Sequence, residues 1–194
     1  MPKLTRRSLI ASSTAALALD GSKGSGLVLP DRWDCVVVGA GVFGAWTAER
    51  LRAAGQRVLL VDAWGAAHAR SSSGGESRMT RTAYGADTVY TEMAWHSLPY
   101  WQALSDVAGL PIFHRTGVLF FFESAHPYAT ATMAAHRAMN LSTQLLDARQ
   151  MAENFPQMDF SGIAFGLYEP RLGALMARRA VQTLVDRFVR GGGS

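Results

Sequence analysis

Trp33-Asp34-Cys35-Val36-Val37-Val38-Gly39-Ala40-Gly41-Val42-Phe43-Gly44 decides the fold of this chain. The first six residues are a short apolar, β-branched run, the pattern of a strand buried on both faces of a parallel sheet. Cys35 sits inside it as a small buried hydrophobe, not as a nucleophile. The next six residues spell G-x-G-x-x-G. Ala45, Ala48, Leu51 and Arg52 then recur three and four apart, as on a helix face, and Gly55 stops the helix. Residues 57–61 read as a second strand, which ends at Asp62. Strand, glycine turn, helix, strand and terminal acid together make a Rossmann-like βαβ unit that binds a dinucleotide. Gly39 permits the tight turn, Gly41 lets the backbone approach a pyrophosphate, and Gly44 lets the helix pack close to the sheet. The pyrophosphate then meets free N–H groups at the positive end of a helix dipole. Asp62 accepts hydrogen bonds from ribose hydroxyls and repels a 2′-phosphate, which argues against NADP.

Outward from this unit, composition sets the limits. The chain has 194 residues, 48% of them apolar and 18% charged, a globular balance that excludes wholesale disorder. The net charge is +4. Three of the cations, Lys3, Arg6 and Arg7, precede the first acid, Asp20, so the remainder is close to neutral. A nucleic-acid surface is not indicated. The single cysteine rules out an intrachain disulfide framework, and the five histidines show no metal-ligand spacing.

Residues 1–19 read as a leader. A charged start is followed by 12 uncharged residues, 8–19, too few for the ~20 that cross a bilayer. Thr5-Arg6-Arg7-Ser8-Leu9-Ile10 resembles a twin-arginine export signal, with Ala16-Leu17-Ala18 as a cleavage site. The expectation is export to the periplasm; the alternative is a tail on a cytoplasmic protein. Residues 20–32 are a flexible linker.

After Asp62 and Ala63, the segment Ser71-Ser72-Ser73-Gly74-Gly75-Glu76-Ser77-Arg78-Met79-Thr80-Arg81 joins small residues to two spaced arginines. Small residues allow close backbone approach to a flat ligand, and arginines offer donor forks to carboxylates or phosphates. The structural alternative for both arginines is a surface ion pair with Glu76 or Asp87.

The glycine turn, the Val-Asp-Ala end of the second strand and the Ser-Ser-x-Gly-Gly-Glu-Ser-Arg-x-x-Arg run belong together. With Ala83-Tyr84-Gly85, the stretch from Phe113 to Phe120 and Tyr168-Glu169-Pro170, they resemble monomeric sarcosine oxidase and its relatives. Those include N-methyltryptophan oxidase and pipecolate oxidase, within the D-amino-acid-oxidase-like flavoproteins. The resemblance covers the N-terminal half of that family. It implies FAD as cofactor. Gly39, Gly41, Val42, Phe43 and Gly44 would hold its pyrophosphate, and Asp62 and Ala63 its adenosine side. Ser72, Ser73, Gly75, Ser77, Arg78 and Met79 would run past its ring and ribityl chain. Arg78 would face the flavin, and Arg81 would hold the substrate carboxylate. The implied reaction removes a hydride from a secondary amine or N-methyl amino acid, with oxygen or another acceptor taking the electrons. Gly74 stands where several relatives carry a histidine, so a histidyl-flavin bond there is impossible. His68 matches a position near the nucleotide but reads as a solvated loop residue. The competing readings are an NAD-dependent dehydrogenase, which leaves residues 71–81 unexplained, and a truncated, non-catalytic nucleotide-binding subunit.

The expected fold is α/β. A first FAD-domain segment spans residues 33–110, a partial α+β substrate domain spans 111–168, and a helix in 169–194 returns to the FAD domain, the whole being a truncated piece. Helices are expected at 91–108, capped by Thr91 and with a kink or a break at Pro99, at 127–139, and at 175–189. Strands are expected at 117–123, 143–146 and 162–168. Asp147 and Gln150 fit a capping box. Tyr90, Trp95 and Trp101 read as core, and Arg178, Arg179, Arg187 and Arg190 as a solvated helix face.

Overall fold

The computed structural model describes residues 32–194; the leader and all but the last residue of the linker lie outside the described residues. Strands β1 (Cys35–Val38) and β2 (Val58–Val61) pair in parallel, Cys35 opposite Val58 and Val38 opposite Val61. Helix α1 (Val42–Ala53) crosses between them. Val37, Val58 and Leu60 pack with Ala48 of α1 and Phe188 of the last helix, α5 (Ala177–Arg190). Buried Ala177, Ala180, Val181, Leu184 and Phe188 recur at helical spacing, so α5 lays one apolar face on α1. The other face of the strand pair is not covered among the described residues: Val38 is 84% exposed. The expected burial on both faces is therefore met on one, because α1 and α5 lie on the same side. Ser194 donates to Val58 O at 3.3 Å and accepts from Leu60 N at 2.7 Å, lying along the outer edge of β2.

A second sheet joins β3 (Arg78–Thr80), β8 (Gly173–Leu175) and β4 (Phe113–His114), with β8 central and antiparallel to both neighbours. It draws one strand from each of the three expected segments. None of these strands was expected from the sequence, since two or three residues are too few to show a period. Leu175, expected to open the last helix, lies in β8 opposite Arg78 and Phe113.

The third sheet pairs β7 (Phe165–Glu169) antiparallel with β5 (Val118–Phe122) on one side and β6 (Gln144–Asp147) on the other. Helix α3 (Pro127–Ala138) follows β5, and α4 (Ala148–Asn154) follows β6. The capping box forms as expected: Gln150 N donates to Asp147 Oδ1 at 2.8 Å, and Gln150 Oε1 accepts from Asp147 N at 2.9 Å.

Helix α2 (Thr88–Val107) begins three residues before Thr91 and runs on through Pro99. Thr91 is not its cap: the side chain is fully buried and its hydroxyl donates to Thr82 O at 2.9 Å. Of the four α5 arginines expected on a solvated face, Arg190 lies there, its side chain 83% exposed, whereas the other three make tertiary contacts. Arg187 and Arg52 both pair with Glu49 of α1, which is 2% exposed, at 2.8 Å. Arg179 donates to Pro111 O, and Arg178 reaches the 72–77 loop. No helix among the described residues is long and apolar enough to cross a membrane.

Candidate functional site

The glycine turn starts with Gly39 N donating to Val61 O at 2.7 Å, with Gly39 at φ +106°, where an L side chain is strained. Gly44 is the tightest point. A Cβ there would sit 1.7 Å from Gly39 O, so α1 starts this close to β1 only with glycine. Gly41 has open space in front of it, a Cβ meeting only Ser73 Oγ at 3.8 Å. Among the described residues, the Phe43 and Gly44 amides have no acceptor. They are the orphan donors of a helix N-terminus. The Phe43 side chain is 83% exposed, so only its backbone serves the turn.

Asp62 closes the unit from the other side. Its Oδ2 accepts from Ala40 N at 2.7 Å, and its Oδ1 accepts from Trp64 N at 2.8 Å and Gly65 N at 3.0 Å. The Ala40 amide first, then those of Trp64 and Gly65, hold the carboxyl below its ordinary range. The carboxylate therefore ties the glycine turn to the end of β2. His68 is not a solvated loop residue. Its side chain is 18% exposed, Nε2 lies 3.8 Å from Asp62 Oδ1, and Nδ1 accepts from Arg70 N at 3.0 Å.

The Ser/Gly loop folds back onto the turn. Ser73 is buried, and its Oγ accepts from Val42 N at 3.2 Å, at the first turn of α1. Two motifs that stand 31 residues apart thus meet at one helix N-terminus. Gly74 is buried, and a Cβ there would lie 2.4 Å from His68 O, so the position has no room for a histidine side chain.

Arg78 curls under this loop, donating to Ser72 O and to Ser77 O at 3.1 Å. Arg81 donates to Ala83 O at 2.8 Å and to the Tyr128 hydroxyl at 2.9 Å, and stacks 4.4 Å from the Tyr84 ring. Among the described residues neither arginine pairs with a carboxylate. Glu76, the expected alternative partner, pairs instead with Arg178 at 3.1 Å. Two guanidinium charges therefore face the same space without a counter-ion.

That space is a cavity of about 520 Å³. Of the residues expected to bind ligand, Val42, Ser72, Ser73, Arg78, Met79 and Arg81 line it. Gly39, Gly41, Phe43, Gly44, Asp62, Ala63, Gly75 and Ser77 do not; the glycine turn and Asp62 lie around the N-terminal end of α1. Sequence reading missed the opposite wall, which α2 supplies through Tyr90, Met93, Ala94, Ser97 and Trp101. Tyr90 is 54% exposed and not core, whereas Trp101 packs edge-on to Trp46 at 5.2 Å and serves both. The signal for this wall was the i, i+3, i+4, i+7, i+11 spacing along α2, which reads equally as a core face.

A buried polar cluster braces Arg81 from behind. Glu169 Oε1 accepts from both Thr82 N, at 2.9 Å, and the Thr82 hydroxyl. His136 is 1% exposed; its Nε2 donates to Thr82 O at 3.0 Å, and its Nδ1 then accepts from the Thr143 hydroxyl at 2.7 Å. Glu169 Oε2 is buried with no partner. None of these roles was visible in the sequence.

The fold and this constellation define a nucleotide-binding α/β protein with a cationic cavity beside the cradle. Residues 34–194 match the family described as FAD dependent oxidoreductase, and the chain belongs to that family. It is 30% identical to peroxisomal sarcosine oxidase of Homo sapiens over 163 residues, which cover 84% of this chain and 42% of that protein. It is 31% identical to monomeric sarcosine oxidase of Bacillus sp. (strain B-0618), covering 77% of this chain and 39% of that protein. L-proline dehydrogenase from P. horikoshii shares the fold with a TM-score of 0.76 at 20% identity, over 86% of this chain and 44% of that one. The chain thus spans less than half the length of the relatives it matches. The residues present fit the family's cofactor: open amides at the helix N-terminus suit a pyrophosphate, and the unpaired arginines suit an anion or an electron-rich ring.

Proposed function

We propose that this chain is the flavin-cradling part of an enzyme that oxidises the C–N bond of a secondary amine or N-methyl amino acid. FAD would accept the hydride; the protein supplies binding, orientation and charge. The amides of Phe43 and Gly44 receive the pyrophosphate. Asp62 fixes the turn and offers its one remaining lone pair to a ribose hydroxyl. Arg78 holds the 72–77 loop through Ser72 O and Ser77 O, and its charge would favour negative charge on a flavin ring bound there. Arg81 takes the substrate carboxylate, steadied by Tyr84 and Tyr128. The bound FAD would supply the redox chemistry, with oxygen or another acceptor as the final oxidant.

The observation that carries this reading is Arg81, a guanidinium with no carboxylate partner among the described residues, lining a cavity whose other wall is mostly apolar. The names of the sarcosine oxidases support it. The test is flavin absorbance and equilibrium binding. FAD binds, NADH does not compete, and Asp62→Ala weakens FAD by about 1–3 kcal/mol. Preferential NADH binding without flavin would overturn the reading. Substrate turnover by these residues alone is not expected, because Tyr90 and Met93 on the cavity wall are 54% and 60% exposed and bulk water reaches the site. A peroxide-coupled assay with sarcosine and pipecolate reads this directly.

We also propose export through Arg6 and Arg7. A reporter fused to residues 1–30 should lose its periplasmic signal when both become lysine, and an unchanged signal would overturn the proposal.

A further inference from the structure

The loop 72–77 carries the groups closest to the helix N-terminus, yet it has no secondary structure of its own beyond turns. Something outside it must set its position. We propose that Arg178, on the first turn of α5, is the positioning residue that latches this loop for FAD; the proposal rests on the flavin reading above.

Arg178 meets the loop as a fork. Its Nε and Nη2 donate to Gly74 O at 3.1 and 2.7 Å, and its Nη1 lies 3.1 Å from Glu76 Oε1. Gly74 is itself closely packed: it is buried, and a Cβ added there would lie 2.4 Å from His68 O and 2.9 Å from Ala69 Cα. Clamping the Gly74 carbonyl therefore fixes Ser73, its neighbour, whose hydroxyl sits on the Val42 amide. On the inner side Arg78 holds Ser72 O and Ser77 O. The loop is pinned between an arginine beneath it and an arginine from α5.

Two arguments separate this role from simple helix stability. A cation in the first turn of a helix opposes the dipole, so Arg178 is not there to stabilise α5. Its ion pair with Glu76 is also weak, because the Glu76 side chain is 70% exposed. The carbonyl fork remains, and a fork needs a planar guanidinium that lysine does not provide.

The experiment compares the wild-type chain with Arg178→Ala, Arg178→Lys and Glu76→Gln. Trypsin cleavage after Arg70 and Arg78 is timed without flavin, with Arg137 and Arg149 as reference sites. FAD affinity is read by quenching of flavin fluorescence. Losing the fork should speed cleavage after Arg78 and weaken FAD by about tenfold each in Arg178→Ala, with little change at the reference sites. Arg178→Lys should recover less than half of the loss, and Glu76→Gln should stay within about twofold of wild type. Cleavage after Arg78 that is unchanged in Arg178→Ala, or accelerated equally at Arg137 and Arg149, overturns the latch. So does FAD binding that is unchanged in Arg178→Ala while the wild type binds. A wild type that binds no FAD overturns the flavin reading instead, and the trypsin arm still decides the latch.

Discussion

The glycine turn and the arginine strand present ligand-facing groups in opposite ways. The turn works with backbone. Its donors are the amides of Phe43 and Gly44, and its geometry comes from Gly39 at positive φ and from Gly44 against Gly39 O. The arginine strand works with side chains. Arg78 and Arg81 are held by carbonyls, a tyrosine hydroxyl and a stacked ring, and the residue after Arg81 is braced by Glu169, Thr91 and His136. Backbone donors need only a local conformation. Side-chain donors need a surrounding structure that removes their rotamer freedom, which otherwise costs up to about 2 kcal/mol for an arginine.

The largest expected effect is on the backbone side. Gly44→Ala drives a methyl group into Gly39 O and should cost about 3 kcal/mol or more, read by urea unfolding. A loss below 1 kcal/mol would mean that the turn shifts freely, and the contrast would dissolve.

Next comes the brace behind Arg81. Glu169→Ala leaves the Thr82 amide and hydroxyl buried without an acceptor and should cost about 2–4 kcal/mol. Glu169→Gln keeps one oxygen for Thr82 and should cost less. A Gln as damaging as Ala would show that the carboxylate charge, not its acceptor geometry, matters.

A smaller effect belongs to the tie between the glycine turn and the end of β2. Asp62 has a folded-state pKa below its unfolded one, chiefly because of the Ala40 amide. Its stabilising contribution is therefore fully present above the unfolded value, near 3.9, and is lost as pH falls through the lowered folded value. Asp62→Asn should cost about 1–2 kcal/mol at neutral pH and flatten the acid limb of the stability profile below about pH 4. An unchanged acid limb would remove Asp62 from that transition.

The smallest effect sharpens the comparison most. Arg81→Ala removes no buried ion pair and should change stability by less than about 1 kcal/mol. A stability loss as large as that of Glu169→Ala would make Arg81 a structural residue and weaken the proposed function.

Much of this was legible in the sequence because it is local. The βαβ unit, its glycines and Asp62 fall within 30 consecutive residues, and helical or strand periodicity exposes each piece. The capping box at Asp147 was readable for the same reason. Thr91 was misread because tertiary packing overrode local preference: a buried hydroxyl bond claimed it, and of the kink or break expected at Pro99 the break does not occur, since the helix runs on past it.

By itself, then, the sequence determined the parallel strand pair, the helix between them, the glycine cradle and the presence of two spaced arginines. Only the tertiary structure decided what surrounds them. Ser73 meets the Val42 amide across 31 residues, Glu169 meets Thr82 across 87, and Arg178 meets Gly74 across 104. No local pattern encodes such pairs, because hydrogen-bonding partners are chosen by where folded elements bring their ends. The short strands β3, β4 and β8 exist for the same reason: each is too brief to stand alone, and β3 and β4 form only where β8 lies between them.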